Sequence, residues 1–375
     1  MSSRLLFLVM CTPLAFLVAC ADGGSTDPEV RRAGTGVDTS TPPRDSAIDS
    51  AATSDSANDT AAADTSVTDT SPQDSAVDSG PVDTGPAPVP PLHVAVVSDL
   101  NGSYGSTTYS SDVDNAVESI VADPPDVVLS TGDMVAGQQS GLDYRAMWDG
   151  FHAAVSDPLV RAGIPFAVTP GNHDASGYSG YSNERAIFED EWLPRKPLVD
   201  FVDDADYPLR YAFTMGDTLF VSLDDTTVGT LSSAQMSWLD RVLDTPARVR
   251  VVYGHVPLYP FAEGRETEAI FDADLEDLLN AHGVQLFVSG HHHAYYPGKR
   301  GSLRLVGTSC LGSGARSLIG TSSTSPKTVL RFTIQDGAIT ALDAYGGSSF
   351  GTAVARSSLP TSVGSGSDVI TRDDR

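Results

Sequence analysis

The sequence is poor in cysteine, in basic residues and in long apolar runs. Two of its 3 cysteines, Cys11 and Cys20, fall near the N-terminus. The rest of the chain has Cys310 alone, so it cannot form a disulfide within itself and must be stable through its core. Lys and Arg number 23 against 49 Asp and Glu, for a formal net charge of −26. This charge argues against nucleic acid as a partner, and a phosphate-binding site would need local positive charge, such as a metal ion.

One apolar run stands at the N-terminus, where residues 4–20 read RLLFLVMCTPLAFLVAC. The run is too short to cross a bilayer and is interrupted by Pro13, which is typical of a signal peptide, here predicted over residues 1–20. Its ending is similar to the bacterial lipoprotein box, and this resemblance implies that Cys20 carries lipid and becomes the mature N-terminus. An ordinary secreted protein is the alternative. We expect an exported protein that a lipid anchors to a membrane of the bacterial cell envelope, facing the periplasm or on the cell surface.

Residues 21–90 consist almost entirely of Asp, Ser, Thr, Ala, Gly and Pro. Such a composition cannot bury enough apolar surface to offset the loss of chain entropy, and its like charges extend the chain. We predict a disordered acidic linker over these residues. A folded domain is predicted over residues 91–350, followed by a flexible Gly- and Ser-rich tail over residues 351–375.

The predicted domain repeats one pattern, in which a short apolar run rich in β-branched residues ends in a polar turn. The runs are LHVAVVSD (92–99), DVVLSTGD (126–133), IPFAVTPGNHD (164–174), VRVVYGH (249–255) and VQLFVSGH (284–291). Nearly continuous apolar strands indicate a sheet that is buried on both faces. Runs within residues 211–225 and 303–344 predict further strands in a second, partly antiparallel sheet.

Helical patterns lie between these runs. Val113, Ala116, Val117, Ile120 and Val121 share one helical face, and Phe271, Leu275, Leu278 and Leu279 share another. Ser232 and Gln235 have the spacing of a capping box at a helix start. Strands that alternate with helices predict an α/β fold.

The ends of the five runs carry residue types that bind metal ions. These residues are Asp99, Asn101, Asp133, Asn172, His173, Asp174, His255, His291 and His293. A lone histidine at a strand end is more often a satisfied polar residue than a ligand. Five such ends in one chain argue against coincidence, because α/β folds bind ligands at the carboxyl ends of their strands.

The order of these motifs resembles the calcineurin-like metallophosphoesterase superfamily, from about Leu92 to Gly347. The resemblance implies a four-layer α/β/β/α sandwich with two mixed β-sheets and a metal site at the carboxyl ends of the strands. It also implies hydrolysis of a phosphomonoester or phosphodiester by a metal-bound hydroxide, and hence a small phosphorylated substrate. A catalytically weak or inactive envelope lipoprotein of the same fold, which only binds phosphate or metal, is the alternative function.

The resemblance further implies two divalent metal ions. One would be held by Asp99, Asp133 and His293, and the other by Asp133, Asn172, His255 and His291, so Asp133 would bridge them. Ligands of oxygen and imidazole without thiolate suit Mn, Fe or Zn, and the sequence does not choose among these metals. Strict alternation along an extended segment would send His291 and His293 to one side and His292 to the other.

Three further expectations concern single positions. By the resemblance, His173 reaches the substrate and protonates the leaving oxygen, while Asp174 orients its imidazole and raises its pKa. Asn101 stands where the family pattern has a histidine, so the first metal site is expected to be weak. The purple type of this family has a tyrosine three residues after the bridging aspartate, where this chain has Ala136, so the purple type is not indicated.

Overall fold

The computed structural model describes residues 90–312 and 314–375. The predicted signal peptide, Cys20 and almost all of the predicted linker lie outside the described residues. Within the described part of the chain, no helix is both long enough and apolar enough to span a membrane.

The described residues form one sequence of strands and helices. The strands are β1 (Leu92–Val97), β2 (Val127–Ser130), β3 (Phe166–Val168), β4 (Asp200–Asp206), β5 (Arg210–Met215), β6 (Thr218–Ser222), β7 (Val249–Tyr253), β8 (Leu286–Ser289), β9 (Tyr296–Arg300), β10 (Leu303–Gly307), β11 (Val329–Gln335), β12 (Ala338–Gly346), β13 (Thr352–Ala353), β14 (Ser362–Val363) and β15 (Ile370–Arg372). The helices are α1 (Ser111–Ala122), α2 (Tyr144–Phe151), α3 (Asp157–Arg161), α4 (Asn172–Ala175), α5 (Ser182–Trp192), α6 (Ser233–Leu243) and α7 (Ala273–Ala281), with a π-helical turn, His152–Ser156, between α2 and α3.

The strands form two mixed sheets. The first has the order β13-β12-β11-β1-β2-β3, in which β1, β2 and β3 are parallel and β11 is antiparallel to β1. The second has the order β14-β15-β9-β10-β8-β7-β6-β5-β4, with parallel strands from β10 to β6 and antiparallel strands at both edges. The predicted α/β fold with two mixed sheets is confirmed, and each of the five predicted runs contains a strand.

Two apolar clusters hold the sheets and helices together. The first joins residues of both sheets, such as Val96 and Val251, to α1, α2 and α5. The second packs α6 and α7 on the second sheet, where Val252 of β7 and Phe287 of β8 belong to it. Since successive residues of a strand point to opposite faces, β7 is buried on both faces, as its continuous apolar run predicts. The order of the four layers stays a prediction.

The C-terminal residues differ from the prediction. Residues 352–372 add β13 to the first sheet and β14 and β15 to the second, where β15 pairs with β9. Val363 and Ile370 join the second apolar cluster, and the side chain of Arg372, which is 2% exposed, donates hydrogen bonds to the carbonyls of Arg356 and Leu359. The predicted flexible tail over 351–375 is therefore wrong, because a few apolar residues at the right register are enough to extend the sheet.

The helix starts are confirmed in part. The Ser232 hydroxyl accepts a hydrogen bond from the backbone N–H of Gln235, but the Gln235 side chain bonds to the backbone of Asp224 and does not return to Ser232. Helix α7 begins after Asp272, which caps it, so Phe271 precedes the helix with a φ of 51° and a partly exposed ring. The prediction that Phe271 belongs to the buried helical face is wrong.

Candidate metal centre

The carboxyl ends of β1, β2, β3, β7 and β8 meet at one pocket of about 760 Å³. Four residues that follow these strands have left-handed backbones, with φ of 49° for Asp99, 55° for Asp133, 63° for His291 and 52° for His293. Residues with side chains seldom adopt this conformation, and it concentrates at functional sites. The two histidines thus reach the pocket from a bend and not from the extended segment that the sequence analysis assumed.

His292 takes no part in the pocket. It is fully buried, and its Nδ1 accepts a hydrogen bond from the backbone N–H of Phe261 while its Nε2 lies 2.8 Å from the Glu268 carbonyl oxygen. Burial lowers the pKa of His292 to about 3. The residue is a neutral support for the loop that carries His291 and His293.

Three potential ligand atoms surround Nε2 of His255, which is itself a fourth. The Oδ1 atom of Asn172 lies 2.9 Å from this nitrogen, Nδ1 of His291 lies 3.2 Å from it, and Oδ1 of Asp133 lies 3.4 Å from it. Gly171 permits this approach, because a Cβ atom there would lie 2.2 Å from Oδ1 of Asp133. The four residues are those that the sequence analysis assigns to the second metal ion.

The outer contacts of these side chains turn their lone pairs toward the common centre. His255 donates from Nδ1 to the Thr131 carbonyl at 2.8 Å, and Asn172 donates from Nδ2 to Oε1 of Gln138 at 2.8 Å. His291 donates from Nε2 to Oε2 of Glu268 at 3.1 Å. The inner atoms are then acceptors that face one another, an arrangement that is repulsive until a cation binds between them. The donor set therefore fits a metal ion.

The first predicted site centres on Asp99 and His293. Oδ1 of Asp99 lies 3.0 Å from Nε2 of His293, and Nδ1 of His293 donates to the Gly314 carbonyl at 3.1 Å. Burial lowers the pKa of His293, but the Asp99 carboxylate outweighs burial and raises it to about 10. In this structure the two side chains are an ion pair, and a metal ion bound there would take the place of the proton. Ligand atoms of Asp99, Asp133 and His255 also lie within 4.8 Å of one another, so the two sites adjoin.

Asn101 lines the same pocket and is 6% exposed. Its Nδ2 donates to the Val135 carbonyl at 3.3 Å, and its backbone N–H donates to the Asp133 carbonyl at 3.1 Å. These contacts engage Nδ2 and the backbone N–H, so the amide oxygen is the atom that could bind a metal ion. An amide oxygen is a weaker donor to Mn, Fe or Zn than an imidazole.

The sequence profile of the calcineurin-like phosphoesterase family matches residues 92–295, which hold all of these ligand candidates. The chain belongs to this family. It is 31% identical to purple acid phosphatase 18 of Arabidopsis thaliana over 173 residues and 25% identical to purple acid phosphatase 15 of the same plant over 230 residues, matches that cover 44% and 55% of this chain. They span only 38% and 40% of those two proteins.

The fold also resembles that of a purple acid phosphatase from yellow lupin (Lupinus luteus) seeds. The TM-score is 0.54 at 18% identity, and the match covers 71% of this chain and 53% of the lupin chain. The sequence does not indicate the purple type, because Ala136 stands where that type has a tyrosine. In the structure Ala136 lines the pocket, and its methyl group cannot supply the phenolic oxygen that a tyrosine would offer to a metal ion.

The contacts of His173 and Asp174 differ from the family expectation. The buried Asp174 carboxylate accepts hydrogen bonds from the backbone N–H groups of Met134, Val135 and Gly171. The imidazole of His173 instead contacts the Gly137 carbonyl through Nδ1, at 3.0 Å. The prediction that Asp174 orients His173 is corrected, since Asp174 orders the backbone that follows Asp133 and the backbone at Gly171, while the Gly137 carbonyl orients the ring. Burial raises the pKa of Asp174 well above its ordinary value.

Three charged residues of the pocket wall are not among those predicted from the sequence: Arg265, Glu268 and Arg316. Glu268 accepts a hydrogen bond from His291 and forms an ion pair with Arg265. The hydrogen bond from His291 is the main reason why the pKa of Glu268 falls to about 2. These residues stand in loops without apolar periodicity, so no sequence pattern marks them.

Proposed function

We propose that the protein is a metal-dependent phosphoric ester hydrolase that acts on a small phosphorylated substrate. The observation that carries this proposal is the convergence of lone pairs from Asn172, His255 and His291 on the Asp133 carboxylate at the floor of an open pocket. Membership of the phosphoesterase family and the sequence similarity to two purple acid phosphatases support it.

Two divalent metal ions, of Mn, Fe or Zn, are the proposed cofactors. The second would be held by Asp133, Asn172, His255 and His291, and the first by Asp99, Asp133, His293 and the amide oxygen of Asn101. Together they would supply a nucleophile derived from water and neutralise charge on the phosphoryl oxygens. Asp133 contributes to both sites.

His173 is the proposed general acid. The Gly137 carbonyl holds Nδ1, so Nε2 is the nitrogen that carries the exchangeable proton, and Nε2 lies 4.0 Å from Oδ2 of Asp133. The exposed ring of Tyr104 packs on the imidazole with 5.4 Å between centroids. From this position the protonated imidazole can deliver a proton to the leaving oxygen.

The decisive experiment is hydrolysis of p-nitrophenyl phosphate and of its bis-ester by protein that has been stripped of metal and then titrated with Mn, Fe or Zn. We expect metal-dependent release of p-nitrophenol. Asp133→Asn should abolish it at every metal concentration, whereas Asp149→Asn, which changes an exposed carboxylate of α2, should not. If the protein hydrolyses neither ester with any of these metals, the proposal is contradicted.

We further propose that the protein is an exported lipoprotein of the bacterial envelope, anchored through Cys20. The support is the signal-like run over residues 4–20 with its lipoprotein-box ending. Cys20→Ser should release the processed protein from the membrane fraction, and Cys11→Ser should leave it there. Membrane association of correctly processed Cys20→Ser protein would overturn the anchor.

A further inference from the structure

One wall of the pocket carries more positive charge than its own partners neutralise. Arg265 and Arg316 both line this wall beside Glu268. Arg265 forms an ion pair with Glu268, whereas Arg316 has no ion-pair partner among the residues that the structure describes. Arg316 therefore lies next to the candidate metal ligands without a direct ion pair to a described residue.

The guanidinium of Arg316 also has an unsatisfied donor. The Nη1 atom is shielded from solvent, and no described residue accepts a hydrogen bond from it. Leaving a charged donor without an acceptor is costly, because its interaction with water is lost and not replaced. Burial, and next the nearby charge of Arg265, lower the pKa of Arg316, although an arginine remains charged at neutral pH. Among the described residues, Nη1 therefore has no acceptor and is available to a bound group.

The backbone holds Arg316 beside the first metal site. Its N–H donates to the His293 carbonyl at 3.1 Å, and its carbonyl accepts a hydrogen bond from the N–H of Ser325 at 2.8 Å. His293 in turn contacts Asp99. A phosphate group placed at the metal ligands would therefore lie within the same pocket as this guanidinium.

We propose that Arg316 binds a terminal oxygen of the substrate phosphate and thereby makes the protein selective for phosphomonoesters over phosphodiesters. This inference rests on the proposed hydrolase function. A phosphomonoester at neutral pH is a dianion with three terminal oxygens, so one remains for Arg316 when two face metal ions. A phosphodiester has two terminal oxygens, carries one charge and places a second organic group where the third oxygen would be. The planar guanidinium of an arginine directs several N–H donors at phosphate oxygens.

The test compares Arg316→Met and Arg316→Lys with the unaltered full chain, and with Arg241→Met as a control on the exposed side of α6. We expect Arg316→Met to lower kcat/KM for p-nitrophenyl phosphate about 10- to 100-fold, the loss typical of a hydrogen bond to a charged group, and to change that for the bis-ester less than about threefold. The lysine variant should lose less, because it keeps the charge. Equal losses on both esters, or no loss on the monoester, would overturn the proposal.

A binding measurement separates this proposal from the hydrolase proposal. Calorimetric titration of the metal-loaded protein with inorganic phosphate should give a Kd about tenfold or more weaker in Arg316→Met and unchanged in Arg241→Met. If the unaltered protein hydrolyses neither ester, the hydrolase proposal fails, and phosphate binding that depends on Arg316 still supports the assignment of this residue. Phosphate affinity that does not depend on Arg316 overturns the assignment whether or not the esters are hydrolysed. Thermal unfolding of each variant checks that the fold is retained. If Arg316→Met does not fold, the comparison of Arg316→Lys with the unaltered protein tests the proposal.

Discussion

Oε2 of Glu268 accepts a hydrogen bond from Nε2 of His291 at 3.1 Å, and this contact determines which nitrogen of His291 faces the metal centre. Nδ1 is left with its lone pair, 3.2 Å from Nε2 of His255. Glu268 would therefore act as a positioning residue for a metal ion that His291 binds.

Glu268→Ala should weaken metal binding at the second site about tenfold or more, because outer partners of this kind fix the tautomer and orientation of a ligating histidine. Glu268→Gln should lose less, since its amide oxygen can still accept the hydrogen bond. Competition with a chromophoric chelator measures both affinities. Glu266→Ala, in the same loop, is the control. Equal metal affinity in Glu268→Ala and the unaltered protein would show that His291 does not need this partner.

Asn101→His should strengthen the first metal site about tenfold, because imidazole is a better donor than an amide to Mn, Fe or Zn. In the unaltered protein we expect calorimetry to resolve two unequal sites, and the rate of ester hydrolysis to rise only as the weaker one fills. The variant should reach full rate at lower metal concentration. Asn280→His, on the exposed surface of α7, controls for an added histidine. Two equally tight sites in the unaltered protein would refute the predicted inequality.

His173→Ala should lower turnover by about 10²- to 10⁴-fold for esters with poor leaving groups, which need a proton in the transition state. The loss should shrink as the leaving group becomes more acidic, and metal affinity should change little. A series of aryl phosphates measures this dependence, with His93→Ala as the control. A uniform loss across the series would remove His173 from proton transfer.

Arg372→Met should destabilise the fold by about 1–3 kcal/mol, because it removes a buried charged donor from two partly buried carbonyl groups. The free energy of unfolding in urea measures the effect, and Arg375→Met at the exposed C-terminus should change it little. An unchanged unfolding midpoint in Arg372→Met would mean that the C-terminal strands do not belong to the cooperative fold.

Local patterns predicted most of the candidate site. Asp99, Asp133 and His255 each stand in the polar turn that ends an apolar run, and a run of this kind is visible without knowledge of the rest of the chain. The left-handed turns that aim Asp99 and Asp133 have no such signature, because only glycine marks that conformation in a sequence. This is why the residues were predicted and their backbone geometry was not.

Long-range relations were harder to predict. Strand β15 contains a buried arginine and pairs with the polar strand β9, so neither resembles an apolar core strand. The roles of Arg316 and Glu268 depend on the side chains that lie beside them in the folded protein. A sequence pattern records which residues are apolar and how they are spaced, and it does not record which loops meet.

The pairing of Leu92 in β1 with Ile334 in β11 joins segments that lie far apart in the chain. In the first sheet β1, which leads to Asp99, lies between β2 and β11, so it has both neighbours only when β11 has paired with it. Contacts between such distant segments slow folding. The strand that leads to Asp99 therefore depends on a contact between distant segments, and we expect Asp99 and His293 to come together late in folding.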